Sequence, residues 1–212
     1  IAPLVTDACN WLTEHGHGVE VVTAFPNYPE RRIRPGYERA LWRRERVGAV
    51  DVHRSAVRVR PAEGFREKAL YELSFAAGSL PLALRALRRA DVVVAVVPTL
   101  LSSAAAQLVS GRRRSVLWFQ DLPVLGAAAL GPPGALARPL LRAGEIVEAA
   151  AARAADRVVV CSGGFRDYLV GRGVGAGRIE TIPNWVDVGR IAPAERRPNG
   201  RPVALYAGNI GY

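Results

Sequence analysis

Apolar residues recur along the chain in two rhythms. In "ADVVVAVV", "SVLWF" and "DRVVVCS" the β-branched and aromatic residues run almost unbroken, which predicts strands covered on both faces. "VEVVTAF", "VDVHRSAVRV" and "IETIP" predict further strands. Between them apolar residues fall at helical spacing. "PLVTDACNWLTEHG" predicts a first helix, with Gly16 as its C-cap. Residues 65–89 predict a helix or helix pair, with Pro81 marking a kink or break. One more helix should reach about Ser110, an alanine-rich one should run from about Ala135 to Ala155, and "GGFRDYLVGRG" should form the last. "FPNYPERRIRPGYERALW" and "LPVLGAAALGPPG" are expected as loops. Strands alternating with helices predict an α/β fold, a Rossmann-like parallel sheet with helices on both faces.

Such domains open on a central strand followed by a glycine turn and a helix. This pattern opens on the helix, so a first strand is expected before Ile1, and the absence of Met fits that expectation. Near the other end "PAERRPNGRP" is poor in apolar residues and rich in Pro, Arg and Gly, as linkers are. It divides the chain into a Rossmann-like domain over 1–191, a linker over 192–202, and the first strand and glycine turn of a second domain over 203–212.

Half of the 212 residues are apolar, enough for one substantial core. No apolar run is continuous enough to predict a membrane span. The net charge is +10, and Lys68 is the sole lysine beside many arginines. Genomic composition accounts for Arg in place of Lys, but not for the surplus of cations. That surplus favours nucleotide phosphates, lipid diphosphates or an anionic membrane surface. No nucleic-acid partner is expected, because no binding module or aromatic-basic platform is present. Cys9 and Cys161 read as small hydrophobic residues in a cytoplasmic protein, and no Cys or His spacing predicts a metal site.

Open parallel sheets bind ligands beyond the carboxyl ends of their strands. Three predicted ends are polar: Gln120 and Asp121, Ser162 and Gly163, and Asn184. Singly they read as helix caps or loop starts; together at one edge they point to a site. Asp121 is the candidate for contact with a substrate hydroxyl, and no catalytic residue is assigned. His15 and His17 suit a helix C-terminus, and His53 has no evident partner. The Arg runs "ERRIR", "WRRERV" and "GRRRS" are expected in loops and helix ends. Those from Arg31 to Arg46, interleaved with Tyr37 and Trp42, suit an anionic, amphipathic acceptor near a membrane.

"LTEHGHGVEVVTAFPNYP", "FQDL", "ADRVVVCSGGFRDYLVGRGV", "RIETIPNWVD" and "LYAGNIG" occur in that order. Together they resemble the retaining glycosyltransferases of the GT-B fold, family 4, and within it the bacterial colanic acid and O-antigen builders. The resemblance implies two Rossmann-like halves around a cleft, this chain being the N-terminal, acceptor-side half. The reaction implied moves a sugar from a nucleotide-sugar donor to an acceptor hydroxyl with retention, without metal or other cofactor. The acceptor implied is a glycan carried on a polyprenyl diphosphate, with peripheral contact at the inner face of the cell membrane. Gln120 falls where many members carry a His facing the donor sugar. Asn27, Tyr28, Arg31 and Arg32 fall on acceptor-side elements, and Gly208, Asn209 and Gly211 on the turn facing the donor diphosphate. "QDLPVLG" lacks the Trp and Glu of the subgroup's "QDLWPE". The family's downstream donor site would follow Tyr212, so these residues alone are expected to be inactive. A non-catalytic Rossmann-like binding module and a GT-B nucleotide-sugar epimerase are the competing readings.

Overall fold

The computed structural model describes residues 2–189 and 191, except 39, 61–63, 130, 132, 133, 135 and 136. The expected linker over 192–202, the tail over 203–212, and Gly208, Asn209 and Gly211 lie outside the described residues. Helix α1 (Ala2–Glu14) leads to strand β1 (Glu20–Ala24), and a hairpin of β2 (Trp42–Val47) and β3 (Val50–Ser55) follows. Next come α2 (Phe65–Leu87), β4 (Val92–Val97), α3 (Leu100–Ser110), β5 (Arg114–Phe119), α4 (Pro123–Ala129) and α5 (Ala137–Ala154). Strand β6 (Arg157–Val160), helix α6 (Gly163–Val170) and β7 (Ile179–Thr181) complete the described fold.

The strands form a four-stranded sheet, β4-β5-β6-β7, and a three-stranded sheet, β1-β3-β2. Every pair in the larger sheet is parallel and helices flank it, so the fold is α/β and Rossmann-like as expected. Its core runs through Val97, Leu117, Phe119, Val158, Val160, Leu169 and Ile179, with Ala151 and Ala152 of α5, and Ala155 just after it, packed in. Alanine is the right size there: a helix backbone comes close to the sheet only where its side chains are small, which leaves few voids. Asp156 ties the strands from below, its Oδ2 accepting from the Ser115 backbone amide at 2.8 Å.

The smaller sheet departs from expectation. "WRRERV" forms strand β2 rather than a loop, antiparallel to β3, with Val47 paired to Val50 across a turn at Gly48 and Ala49. Gly48 has φ +59°, the left-handed backbone such short turns require. An Arg-rich strand is tolerable here because β2 is an edge, where charge keeps other strands away. Glu45 accepts hydrogen bonds from the Tyr37 hydroxyl and the Arg54 guanidinium, so part of the charge is matched within the sheet.

Two further expectations change, and the choice between one helix and a pair over 65–89 is settled. "LPVLGAAA" contains helix α4, opened by Pro123, whose fixed φ suits the first turn of a helix. Helix α2 runs through Pro81 as one helix. Three residues before Pro81 the Trp42 indole N–H donates to the Gly78 carbonyl at 2.8 Å. Strand β4 is covered only at its far end: Val97 is fully buried, whereas Val92 and Val94 are about half exposed, because β4 pairs on one side only.

Candidate functional site

The register places the sequence-predicted residues on common levels. Phe119 is level with Val97 on one side and Val160 on the other, and Val160 is level with Thr181. The ladder continues one step further, with the Gln120 amide donating to the Val97 carbonyl and the Ile182 amide to the Val160 carbonyl. Gln120 and Ile182 therefore extend the ladder one residue past β5 and β7, and Asp121 and Ser162 follow the ends of β5 and β6. Gln120, Asp121, Ser162 and Asn184 thus gather at one carboxyl edge of the four-stranded sheet, where open parallel sheets bind ligands.

Their local states differ. Gln120 Nε2 is buried with no hydrogen-bond partner, an unmet donor that is costly unless a ligand or water completes it. Asp121 is exposed, and its Oδ1 accepts from the Leu122 amide at 2.8 Å, which fixes the carboxylate at the turn into α4. Ser162 is the N-cap of α6, its hydroxyl accepting from the Phe165 amide at 3.4 Å, so the capping role holds for it. Gly163 and Gly164 follow with open space where a side chain would stand. Asn184 is exposed, and Trp185 beside it stacks on Trp118, ring centroids 5.9 Å apart at 18°. That stack pins "PNWVD" to the sheet. Sequence reading missed it, because nothing in linear spacing says that two distant tryptophans meet.

The acceptor-side candidates form a different loop, after β1. Asn27 Nδ2 donates to the Phe25 carbonyl at 2.8 Å, and the Arg34 guanidinium reaches the Tyr28 carbonyl at 3.4 Å. The Tyr28 side chain is 76% exposed, and Arg31 and Arg32 are exposed. Farther on, Tyr37 packs on Phe25 and under the Arg43 guanidinium, 4.7 Å from its ring. Tyr37 and Arg43 are thus engaged within the fold rather than offered to a partner.

A second residue missed in sequence lies beneath the site. Glu148 of α5 is fully buried, one oxygen accepting from the Tyr168 hydroxyl at 2.8 Å and the other without a partner. Burial pushes its carboxyl above the ordinary value, although Tyr168, Arg172 and the Val124 amide pull the other way. Burial and the same pair push the Tyr168 phenol up as well. Arg172 lies 3.6 Å over the Tyr168 ring. Since Val124 belongs to α4, this cluster supports the helix that starts just after Asp121. The one available signal was an acid, Glu148, running into the alanine stretch of α5.

The histidines do not join the site. His15 stacks on Trp11 with ring centroids 3.8 Å apart. His53, expected to lack a partner, lies 3.3 Å from a Glu20 oxygen. Among the described residues no three His, Cys, Asp or Glu side chains converge as metal ligands do. Two hollows, of about 670 Å³ beside Glu20 and about 430 Å³ beside Arg114, lie where β1 and β5 begin, away from the carboxyl edge. Their walls are polar and rich in arginine; for the chemistry expected here, strand register is the better guide than the size of a hollow.

Comparison with known proteins bears on the chain as a whole. Residues 1–185 match the family described as "Glycosyl transferase 4-like domain". The chain is 30% identical over 220 aligned positions to an Escherichia coli (strain K12) protein named "Putative colanic acid biosynthesis glycosyl transferase WcaI", covering 95% of this chain and 53% of that protein. The chain thus spans about half the length of the curated relative it matches. With the α/β sheet, the polar carboxyl edge and a match over nearly the whole described fold, the chain belongs to the glycosyl transferase 4-like family, the group 1 glycosyltransferases of family 4.

Proposed function

We propose that this chain is the acceptor-side half of a retaining glycosyltransferase that builds a cell-surface polysaccharide. The full protein takes a nucleotide-sugar donor and transfers its sugar to a glycan hydroxyl on a polyprenyl-diphosphate carrier, at the inner face of the cell membrane. The observation that carries the reading is the polar edge of the sheet, above all the unmet Gln120 donor beside the exposed Asp121 carboxylate. Gln120 donates to a sugar oxygen, and Asp121 accepts from a substrate hydroxyl. Gln120 cannot act as an acid or base, so its contribution is orientation and charge stabilisation. The relative named for colanic acid biosynthesis supports the polysaccharide assignment.

In the same reading residues 192–202 link to a donor domain that begins at 203–212, where Gly208, Asn209 and Gly211 face the donor diphosphate. Residues 1–212 alone are then inactive, and no metal or other cofactor takes part. The Asn27 and Tyr28 loop, with Arg31 and Arg32, meets the acceptor. The test is to incubate the full-length protein with a panel of nucleotide sugars and a polyprenyl-diphosphate glycan, and to follow transfer by mass spectrometry. Sugar added to the lipid-linked glycan supports the reading. Interconversion of the donor without transfer would favour an epimerase, and donor binding without turnover a binding module.

A further inference from the structure

Helix α5 is rich in alanine, yet it holds a glycine and a buried acid one turn apart. Gly144 and Glu148 are four residues apart and so share a face of the helix. Glycine is a poor residue for a helix interior, and here it marks a close approach. A Cβ at 144 would stand 3.3 and 3.7 Å from the two methyl carbons of Val124, so the absent side chain lets α4 settle against α5. Leu122, Pro123 and Val124, the three residues after Asp121, are all buried. The turn that carries Gln120 and Asp121 is therefore anchored by the residues that follow it, and α5 forms part of the anchor.

Glu148 reaches two elements at once. It is fully buried, and its Oε1 accepts from the Tyr168 hydroxyl of α6 at 2.8 Å. The Val124 amide of α4 lies close enough to favour its charged form. Tyr168 is held in turn by the Arg172 guanidinium, 3.6 Å from its ring, and Arg172 meets Glu145 of α5 at 3.5 Å. Helix α4 begins just after Asp121, and α6 begins just after its cap, Ser162. One carboxylate thus lies between the helices that follow two of the polar strand ends. Burying an acid is costly unless its neighbours compensate it, whereas Ala149, Ala151 and Ala152 beside it are buried as plain apolar residues.

We propose that Gly144 and Glu148 are positioning residues of the carboxyl edge, setting the spacing between the Gln120–Asp121 turn and the start of α6. Neither touches substrate. The inference rests on the proposed function, in which substrate is met at that edge, and adds the residues that hold the edge in place. The test is steady-state sugar transfer by the full-length protein, with hydrogen exchange at the Leu122 amide that Asp121 engages. Gly144→Ala should lower kcat by about tenfold or more, with the KM for donor near wild type because in this reading the other domain holds the donor. Exchange at Leu122 should quicken. The unfolding midpoint should stay near wild type, the helix preference for alanine offsetting the crowding.

Shortening the neighbour in the pair Gly144→Ala/Val124→Ala should restore much of both kcat and protection. Glu148→Gln keeps the Tyr168 bond but sets an NH2 group against the Val124 amide, and should lower kcat in the same way. Gly126→Ala on α4, where a Cβ would meet nothing, should change neither readout. Wild-type kcat in both Gly144→Ala and Glu148→Gln would overturn the proposal. So would a loss that tracks a lowered unfolding midpoint and that Val124→Ala leaves uncorrected, which is the mark of a purely structural role. A full-length protein that transfers no sugar, yet whose Leu122 exchange responds as described, would sink the transferase reading and leave the positioning role standing. Transfer indifferent to both substitutions would do the reverse.

Discussion

The two sheets of this protein are held together differently. In the four-stranded sheet, Leu117, Phe119, Val158 and Val160 are essentially excluded from water, and the strands are specified mainly by apolar side chains. In the three-stranded sheet only Val50, Val52 and Ser55 are comparably buried, and β2 survives on cross-strand charge and a tight turn. The first kind of strand is legible in one sequence, because a β-branched run has few other places to go. The second is not, because "WRRERV" looks like solvated surface until β3 is laid beside it.

Substitutions should separate the two regions, most strongly in the larger sheet. Phe119→Ala removes a fully buried ring and should cost about 3–5 kcal/mol in denaturant unfolding. Glu148→Ala, which leaves the Tyr168 hydroxyl unpaired in the interior, should cost about 1–3 kcal/mol. Glu148→Gln keeps that bond and should be far milder. Its effect is best read against pH. Burial raises the Glu148 carboxyl in the folded state, so its contribution is full below the unfolded value and is lost as pH rises through the folded one. Glu148→Gln should flatten that decline, and an unchanged pH profile would show that the carboxyl does not titrate as described.

Asp156 works in the opposite sense. The Ser115 backbone amide and hydroxyl hold its carboxyl below the ordinary value, outweighing burial. Its contribution is present above the unfolded value and fades as pH falls through the folded one. Asp156→Asn should therefore weaken the protein at neutral pH and remove part of its acid sensitivity, measured by thermal unfolding across pH. The smallest effect should be at the edge of the other sheet. There Arg44→Ala breaks only an exposed pair with Asp51 and should change stability by about 0–1 kcal/mol. A large loss there would mean that β2 carries more of the fold than its exposure implies.

The site follows the same division. Gln120, Asp121, Ser162 and Asn184 could be placed at strand ends because the strands before them were legible, and parallel pairing brought those ends to one edge. What stayed hidden depended on contacts between distant parts of the chain. Trp185 meets Trp118, Glu148 meets Tyr168, and Glu20 meets His53, all pairings that no local period encodes. Helix α4 was hidden for a different reason: Pro and Gly in "LPVLGAAA" are breakers inside a helix, but Pro is a starter at its first turn. In the Arg31–Arg46 segment the Tyr37–Arg43 contact was hidden in the same way as those pairings.

The central claim is that substrate is met at the carboxyl edge of the four-stranded sheet. Steady-state sugar transfer by full-length Gln120→Ala and Asp121→Ala proteins, with unfolding midpoints checked against wild type, tests it most directly. The account predicts that kcat/KM falls by about a hundredfold or more in each variant. Transfer at the wild-type rate in both folded variants would contradict it and move the site elsewhere.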